Sequence, residues 1–292
     1  MFLTPRSSSL RLRSAMTTKR NPLAFEELEA REVPAVFIWK GDGAGGGAWN
    51  DGKMWQDTNG KIANAVPGIL DTARFTDAST DNCTVTASDQ VGRLEIEDYP
   101  SNKHLLLNGG TELTVFGGKL ATTTPTGTDF TIGGAGTLRI GAAASFVWNS
   151  GTMAGPGTTI VGQSGTLYID ASSAATLDAR LAGRTLETSA FQAPFISSGE
   201  IQFRSGRIYC QNLPGDPNQC AQIVNNGLFS VSNTAAQIEA GNPYAFANQP
   251  GGTVSVNLAG AGSTFELGGS FHNLSSPTKA FGVCSASAEL GN

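Results

Sequence analysis

The sequence predicts an all-β chain, and three observations carry that prediction. Short apolar pairs separated by one residue recur as Leu94/Ile96, Leu105/Leu107, Leu113/Val115, Phe130/Ile132, Leu138/Ile140, Phe146/Trp148, Leu167/Ile169, Ile201/Phe203 and Val254/Val256. Two-residue spacing sends both apolar side chains to one face of a strand and leaves the middle residue on the other. Gly, Asn, Ser and Thr fill the intervals, often as Gly-Gly or Asn-Gly, which is turn chemistry. Charged residues make up only 15% and Gly numbers 37 of 292, which favours tight turns and stacked strands over solvated surface helices.

The length of 292 residues suits one large all-β unit, and a hydrophobic content of 39% is enough to fill a core, so wholesale disorder is excluded. Net charge is −5, with six Lys/Arg and four Glu in residues 1–35, leaving thirteen basic and twenty acidic groups in the remainder. That remainder has no basic patch interleaved with aromatics, which argues against nucleic acid as a partner. No apolar run is long enough for a transmembrane helix.

Residues 1–35 read as a basic leader. Arg6, Arg11, Arg13, Lys19 and Arg20 precede any acid, as at the start of an export signal, but the apolar core of a standard signal peptide is missing. Phe25-Glu-Glu-Leu-Glu-Ala-Arg-Glu-Val-Pro-Ala35 follows, and Ala24–Glu32 could also form a helical turn packed on the end of a domain. A Ser/Arg-rich start followed by F-E-x-L-E-x-R-x-V-P-A resembles the leader of large exported and surface proteins of planctomycete bacteria. Phe25, Leu28, Glu29, Arg31, Val33, Pro34 and Ala35 carry the match, and Ala30 stands where that family more often has Asp. The resemblance implies export to the cell surface or beyond.

Residues 36–80 form a Trp/Gly-rich module. Val36-Phe-Ile-Trp39 reads as a strand, and the following loop contains Gly41-Asp-Gly-Ala-Gly-Gly46, a literal G-x-G-x-x-G. A dinucleotide site needs a helix directly after that loop, whereas Ala48-Trp49-Asn50-Asp51-Gly52 is turn chemistry, so no cofactor is expected. Asp42, Asp51 and Asp71 carry oxygen ligands but lack any calcium-loop spacing, so no metal is expected. Trp39-x-Gly41, Trp49-Asn50, Trp55, Pro67, Asp71 and Phe75 resemble the opening of autotransporter-like and haemagglutinin-like β-helix proteins, with Met54-Trp55 in place of the commoner Asn-Trp. That resemblance implies an aromatic cap over the first rung; a sugar-stacking platform is the competing use of the same side chains.

Residues 81–274 form the repeat body. Gly136-Thr-Leu-Arg-Ile140, Gly165-Thr-Leu-Tyr-Ile169 and Gly252-Thr-Val-Ser-Val256 share G-T-[LV]-x-[IV], and Ser145–Ile160, Leu177–Leu186, Ile223–Phe229 and Tyr244–Val254 follow in an order that resembles the repeat array of the same adhesin-like proteins. The fold implied is a single-stranded right-handed parallel β-helix, a solenoid with an N-terminal Trp/Gly-rich cap that includes Trp39, Trp49, Trp55 and Phe75, with Trp148 as a large core residue further along. About twenty residues per rung is compatible with that fold, and Asn225, Asn226 and Asn248 suit turn positions where amides stack rung on rung. A sandwich, barrel or propeller remains the alternative from periodicity alone.

Candidate chemistry in the body is sparse. Glu95 and Glu97 share one strand face, a carboxylate pair whose simplest reading is a solvated surface. His104 and His272 each stand alone in sequence, Arg139, Arg180, Arg184, Arg204 and Arg207 are scattered, and no Gly-x-Ser-x-Gly elbow accompanies a His and Asp set. No catalytic residue is expected. Of Cys83, Cys210, Cys220 and Cys284, none forms C-x-x-C; Cys210 and Cys220 bracket a turn-rich loop and could form a disulfide, with four free thiols as the alternative. Residues 275–292 read as a tail, and relatives of this kind run longer, so the chain could be a short member.

The expected function is a non-catalytic, exported, surface-associated structural or adhesive element. Envelope polysaccharide or other envelope proteins would be its partners. The alternative is a carbohydrate-active β-helix, either lyase or binding module, which a cluster of carboxylates with Lys or Arg on one solvent-facing sheet would favour.

Overall fold

The computed structural model describes residues 33–79, 81–97, 103–121, 130–170, 179–182, 184–188, 198–213, 216–232, 235–240, 246–257, 264–267 and 271–273. The expectations placed on residues 1–32 and 275–292 lie outside them. The described chain is a right-handed parallel β-helix. Strands pair with strands one turn away along the chain rather than with sequence neighbours, which rules out the sandwich, barrel and propeller alternatives.

Each full turn lays one strand on each of three faces. The first face stacks Val36–Trp39, Thr72–Phe75, Arg93–Glu97, residues 118–121, residues 145–148, Thr166–Asp170, residues 200–203, Leu228–Val231 and Thr253–Val256. The second stacks Gly46–Ala48, Asn82–Val85, His104–Leu107, Thr131–Gly134, Gly151–Ala154, Ala179–Ala182, residues 206–211, Ala235–Ala240 and Thr264–Leu267. The third stacks Asp89–Val91, residues 112–115, residues 137–140, Thr158–Val161, Thr185–Thr188, Gln222–Asn225, Phe246–Asn248 and Phe271–Asn273. Among the strand pairs of the described residues, two are antiparallel: Trp55–Gln56 pairs with Val36–Trp39, and Asp216–Cys220 folds back on Glu200–Leu213.

The apolar pairs generate the core directly. On the first face, Ala73, Leu94, Gly118, Phe146, Leu167, Ile201, Phe229 and Val254 form one column in register. Phe75, Ile96, Leu120, Trp148, Ile169, Phe203, Val231 and Val256 form a second column beside it. Every sequence pair from Leu94/Ile96 to Ile201/Phe203 is fully buried, and Val254 and Val256 pack partly buried against the same core. Burying a large apolar side chain contributes about 1.5–3 kcal/mol, and in this fold the gain repeats with each turn.

Gly118 belongs to that inner column, between Leu94 and Phe146, and has φ +135°. A Cβ there would run into the Leu94 carbonyl, so glycine is required where the chain turns the corner from the third face to the first within the single strand Glu112–Ala121.

The aromatic residues of 36–80 pack against one another at the start of the solenoid. Trp39, Trp49, Trp55 and Phe75 are all fully buried, with ring centroids 4.9–6.4 Å apart, and Phe75 continues to Phe130 at 6.2 Å. Their indole N–H groups are all paired: Trp39 donates to the Asp81 carbonyl at 2.9 Å, Trp49 to Asp89 Oδ2 at 2.9 Å and Trp55 to the Trp49 carbonyl at 2.8 Å. Val36–Trp39 and Thr72–Phe75 already lie in the first-face ladder and Gly46–Ala48 in the second, so the cap module contributes three strands to the solenoid.

Candidate functional site

Alternation along a strand sends every second residue outward, and on the first face those positions collect charge. Arg74, Glu95 and Lys119 are register partners on successive strands, so signs alternate along one outward column at a spacing of about 4.8 Å. Arg74 Nη2 donates to Glu97 Oε2 at 2.7 Å, Lys119 Nζ pairs with Glu97 Oε1, and Arg93 Nη2 stands 3.2 Å from Glu95 Oε1. The hydrogen bonds from Lys119 and Arg74 hold the Glu97 carboxyl below the ordinary carboxylate range. On the third face, Arg139 Nε reaches Glu112 Oε1 at 2.8 Å and lowers that carboxyl in the same way. Farther along the first face, the Arg204 guanidinium lies 3.6 Å from the Tyr168 ring centroid, and Ser205 Oγ donates to Asp170 Oδ1 at 2.6 Å.

This arrangement gathers two carboxylates and three cations on one solvent-facing sheet, and its chemistry is that of an ion-pair network. A general acid needs a carboxyl whose pKa is raised toward neutrality. Among the described residues, the four carboxyls with a resolved shift, Asp42, Asp57, Glu97 and Glu112, are all shifted downward. Burial pushes the Cys83 thiol well up and the Cys210 thiol up to about 12, so neither supplies a thiolate near neutral pH. His104, on the outward side of the second face beside Thr131, is lowered by burial and by Lys103. His272 pairs in register with Ala247 on the third face, so the two histidines are not brought together.

Asp42, Asp51 and Asp71 are also kept apart, each closing a separate turn. Asp42 Oδ1 accepts from the Ala44 and Gly46 N–H groups, Asp51 Oδ1 from Lys53, and Asp71 from Ala35 and Gly68. Among the described residues, no three His, Cys, Asp or Glu side chains are placed to share a metal ion. The Gly41–Gly46 loop runs into the strand Gly46–Ala48 rather than a helix, and Asp81 Oδ2 takes its Gly43 N–H at 2.5 Å. With Gly41 on the Met54 carbonyl and Ala44 and Gly46 on Asp42, four of the loop's N–H groups are taken by the protein itself. Buried tryptophans likewise leave no open ring face for sugar stacking.

Cys210 is a free thiol, 1% exposed, facing the core from the second face in register with Leu181. The hairpin does bring the two backbones near, with Asn212 opposite Cys220, but the side chain at 210 is turned into the apolar column. The Cys220 side chain lies outside the described residues.

Arg184, one of the scattered arginines in sequence, is a fully buried charged side chain in the fold. Thr137, Thr158 and Thr185 pair in register, and the residues just before them are Gly136, Gly157 and Arg184. The absent side chains of the two glycines leave a slot at the corner between the second and third faces, and Arg184 fills it with zero exposure. Its Nε donates to Thr159 Oγ1 at 2.9 Å; Nη1 donates to the Gly134 and Ala154 carbonyls at 3.2 and 3.3 Å; Nη2 donates to Gly136 and Thr158 at 3.1 and 2.9 Å. All five N–H donors are therefore used, and they tie three successive turns together. Burial pulls the guanidinium pKa down to about 10, which still leaves it charged at neutral pH. A Cβ at Gly157 would sit 2.7 Å from Nη1, so glycine there is part of the same fitting. The signal in the sequence was the paired G-x-G at Gly134/Gly136 and Gly155/Gly157, one turn apart.

One turn beyond, Asn225 and Asn248 stack amide on amide in register, whereas Asn226 stands outside that stack and bonds Glu187. Val91, Val115, Ile140 and Val161 give way in register to Thr188, Asn225 and Asn248. Thr188 Oγ1 donates to Asn225 Oδ1 at 3.0 Å, Asn225 Nδ2 to Asn248 Oδ1 at 2.7 Å and to the Thr253 carbonyl at 2.9 Å. Asn226 Nδ2 donates to Glu187 Oε1 at 2.9 Å.

The fold and these sites define a parallel β-helix with a buried aromatic cap, an internal guanidinium and an ion-paired outer sheet. Comparison with protein-family models, with curated proteins and with solved structures finds no match to this chain. Among the described residues no helix is long and apolar enough to cross a membrane.

Proposed function

We propose that this chain is a non-catalytic, exported scaffold of the cell surface, a rigid column acting as a structural or adhesive element. The observation that carries the reading is the outer sheet around Glu97, where that carboxylate is held ionised between Lys119 and Arg74 instead of being poised to give up a proton. The leader phrase Phe25–Ala35, with its resemblance to planctomycete exported proteins, supports the location. Fractionating the native cells and blotting for the chain tests it: recovery with the envelope or medium is expected, and retention in the cytoplasm would overturn it.

A carbohydrate-active β-helix is the second reading, favoured by the same grouping of Glu95 and Glu97 with three cations on one face. Under that reading, acidic polysaccharides are bound or cleaved and the Glu97→Gln variant loses the activity while keeping its fold. Under the scaffold reading, a panel of acidic polysaccharides shows no cleavage.

A further inference from the structure

The chain contains three Asn-Gly dipeptides, at 59–60, 108–109 and 226–227, and the fold treats them differently. Asn-Gly is the sequence in which a chain can modify itself. The glycine backbone nitrogen, after losing its proton, attacks Cγ of the asparagine; the bond from Cγ to the side-chain nitrogen breaks, and ammonia leaves with that proton. The five-membered succinimide so formed is opened by water at either carbonyl, giving aspartate or isoaspartate. The step needs a glycine N–H free of other partners, an amide free to leave and a backbone able to adjust.

At Asn226 the fold blocks all three. Gly227 is buried and its N–H donates to Thr188 Oγ1 at 2.8 Å, while the departing nitrogen, Asn226 Nδ2, is held by Glu187 Oε1 at 2.9 Å. At Asn59 the attacking nitrogen is partly restrained, because the Gly60 N–H donates to the Asp57 carbonyl at 3.0 Å. Asn108 is open. Asn108, Gly109 and Gly110 are all exposed, in a turn closed by the Thr111 N–H on the Asn108 carbonyl at 3.0 Å, an arrangement that leaves the Gly109 N–H at the turn's tip. Gly110 has φ +79°, and two consecutive glycines let the turn rearrange.

We propose that Asn108 is a self-modification site, converting to aspartate and isoaspartate by attack of the Gly109 nitrogen, while the Thr188 hydroxyl and Glu187 protect Asn226. The isoaspartyl form adds a backbone carbon between two sets of bonds that hold this corner, the Leu107 carbonyl to the Gly136 N–H at 2.8 Å and the Asn108 carbonyl to Thr111. Conversion therefore loosens the link between the second and third faces at this turn and adds a negative charge there.

The test is ageing of the full chain in mildly alkaline buffer, followed by peptide mapping with mass spectrometry that separates aspartate from isoaspartate. Conversion is expected at Asn108 at least several-fold faster than at Asn59, with Asn226 still an amide. In denaturant, all three should convert at comparable rates. The Gly109→Ala variant, whose added Cβ would meet only the Ala135 Cβ at an ordinary 3.6 Å, should fold and slow Asn108 several-fold. Equal rates at the three sites in the folded chain, or conversion at Asn226 ahead of Asn108, would overturn the proposal.

Discussion

Arg184 shows how a charge can be buried without a counter-ion. A carboxylate partner would neutralise it, but four carbonyls and a hydroxyl supply the same five acceptors and also fix three turns relative to one another. Removing the donor strands those acceptors in the interior, so Arg184→Met should cost about 3–5 kcal/mol, read as a lower urea midpoint. Lysine has neither the planar fork nor five donors, so Arg184→Lys should recover only a minor part of the loss. The exposed ion pairs behave oppositely, each contributing little and in a salt-dependent way. Because Glu97 and Glu112 titrate below the ordinary 4.5 in the folded chain, their contribution is complete above that value and fades as pH falls through the lowered folded values. Denaturation midpoints measured from neutral to acid should therefore drop below about pH 4.5, with a shallower drop in Glu97→Gln. The paired G-x-G hinted at a slot but not at Arg184 as its occupant, and the Glu97 network had no signal at all, since a lone Arg and a strand of alternating Glu look like surface until register supplies partners more than twenty residues away.

At the level of elements, the strands were legible and their partners were not. Apolar-x-apolar spacing located the inward positions of the strands that carry it because alternation is local, whereas the third-face-to-first-face corner without a turn, at Glu112–Ala121, depends on Gly118 fitting under the Leu94 carbonyl. Gly118→Ala should accordingly destabilise far more than an ordinary strand Gly→Ala change, and retention of the wild-type urea midpoint would contradict the close approach. The cap has its own single dependency. Asp89 Oδ2 receives the Trp49 indole N–H and the Asn50 amide, so Asp89→Ala leaves a buried donor unmatched and should cost about 1–3 kcal/mol. The Asn225–Asn248 stack was legible because amides at turn positions repeat, but its buried hydrogen bonds have a consequence for mutation: Asn225→Ala takes away the acceptor of the Thr188 hydroxyl proton and a donor to Asn248 together, and should cost more than truncating exposed Asn108.

Over the whole molecule, stability accumulates turn by turn, with each strand paired above and below by the same face. One inner column of the third face changes character along its length, aliphatic from Val91 through Val161 and then polar from Thr188 to Asn248, which gives the solenoid distinguishable parts although its backbone is uniform. The scaffold reading belongs at this scale, because what such a column offers is a fixed spacing of outward side chains rather than a pocket. One property of the cap reaches beyond packing. Three of the chain's four tryptophans are buried in it, so the intrinsic emission of the protein is a spectroscopic report on one end of the column. Far-ultraviolet dichroism, by contrast, averages over every strand. Unfolding followed by both signals at once would show whether the column melts as one body or opens from an end, with no label attached to the chain.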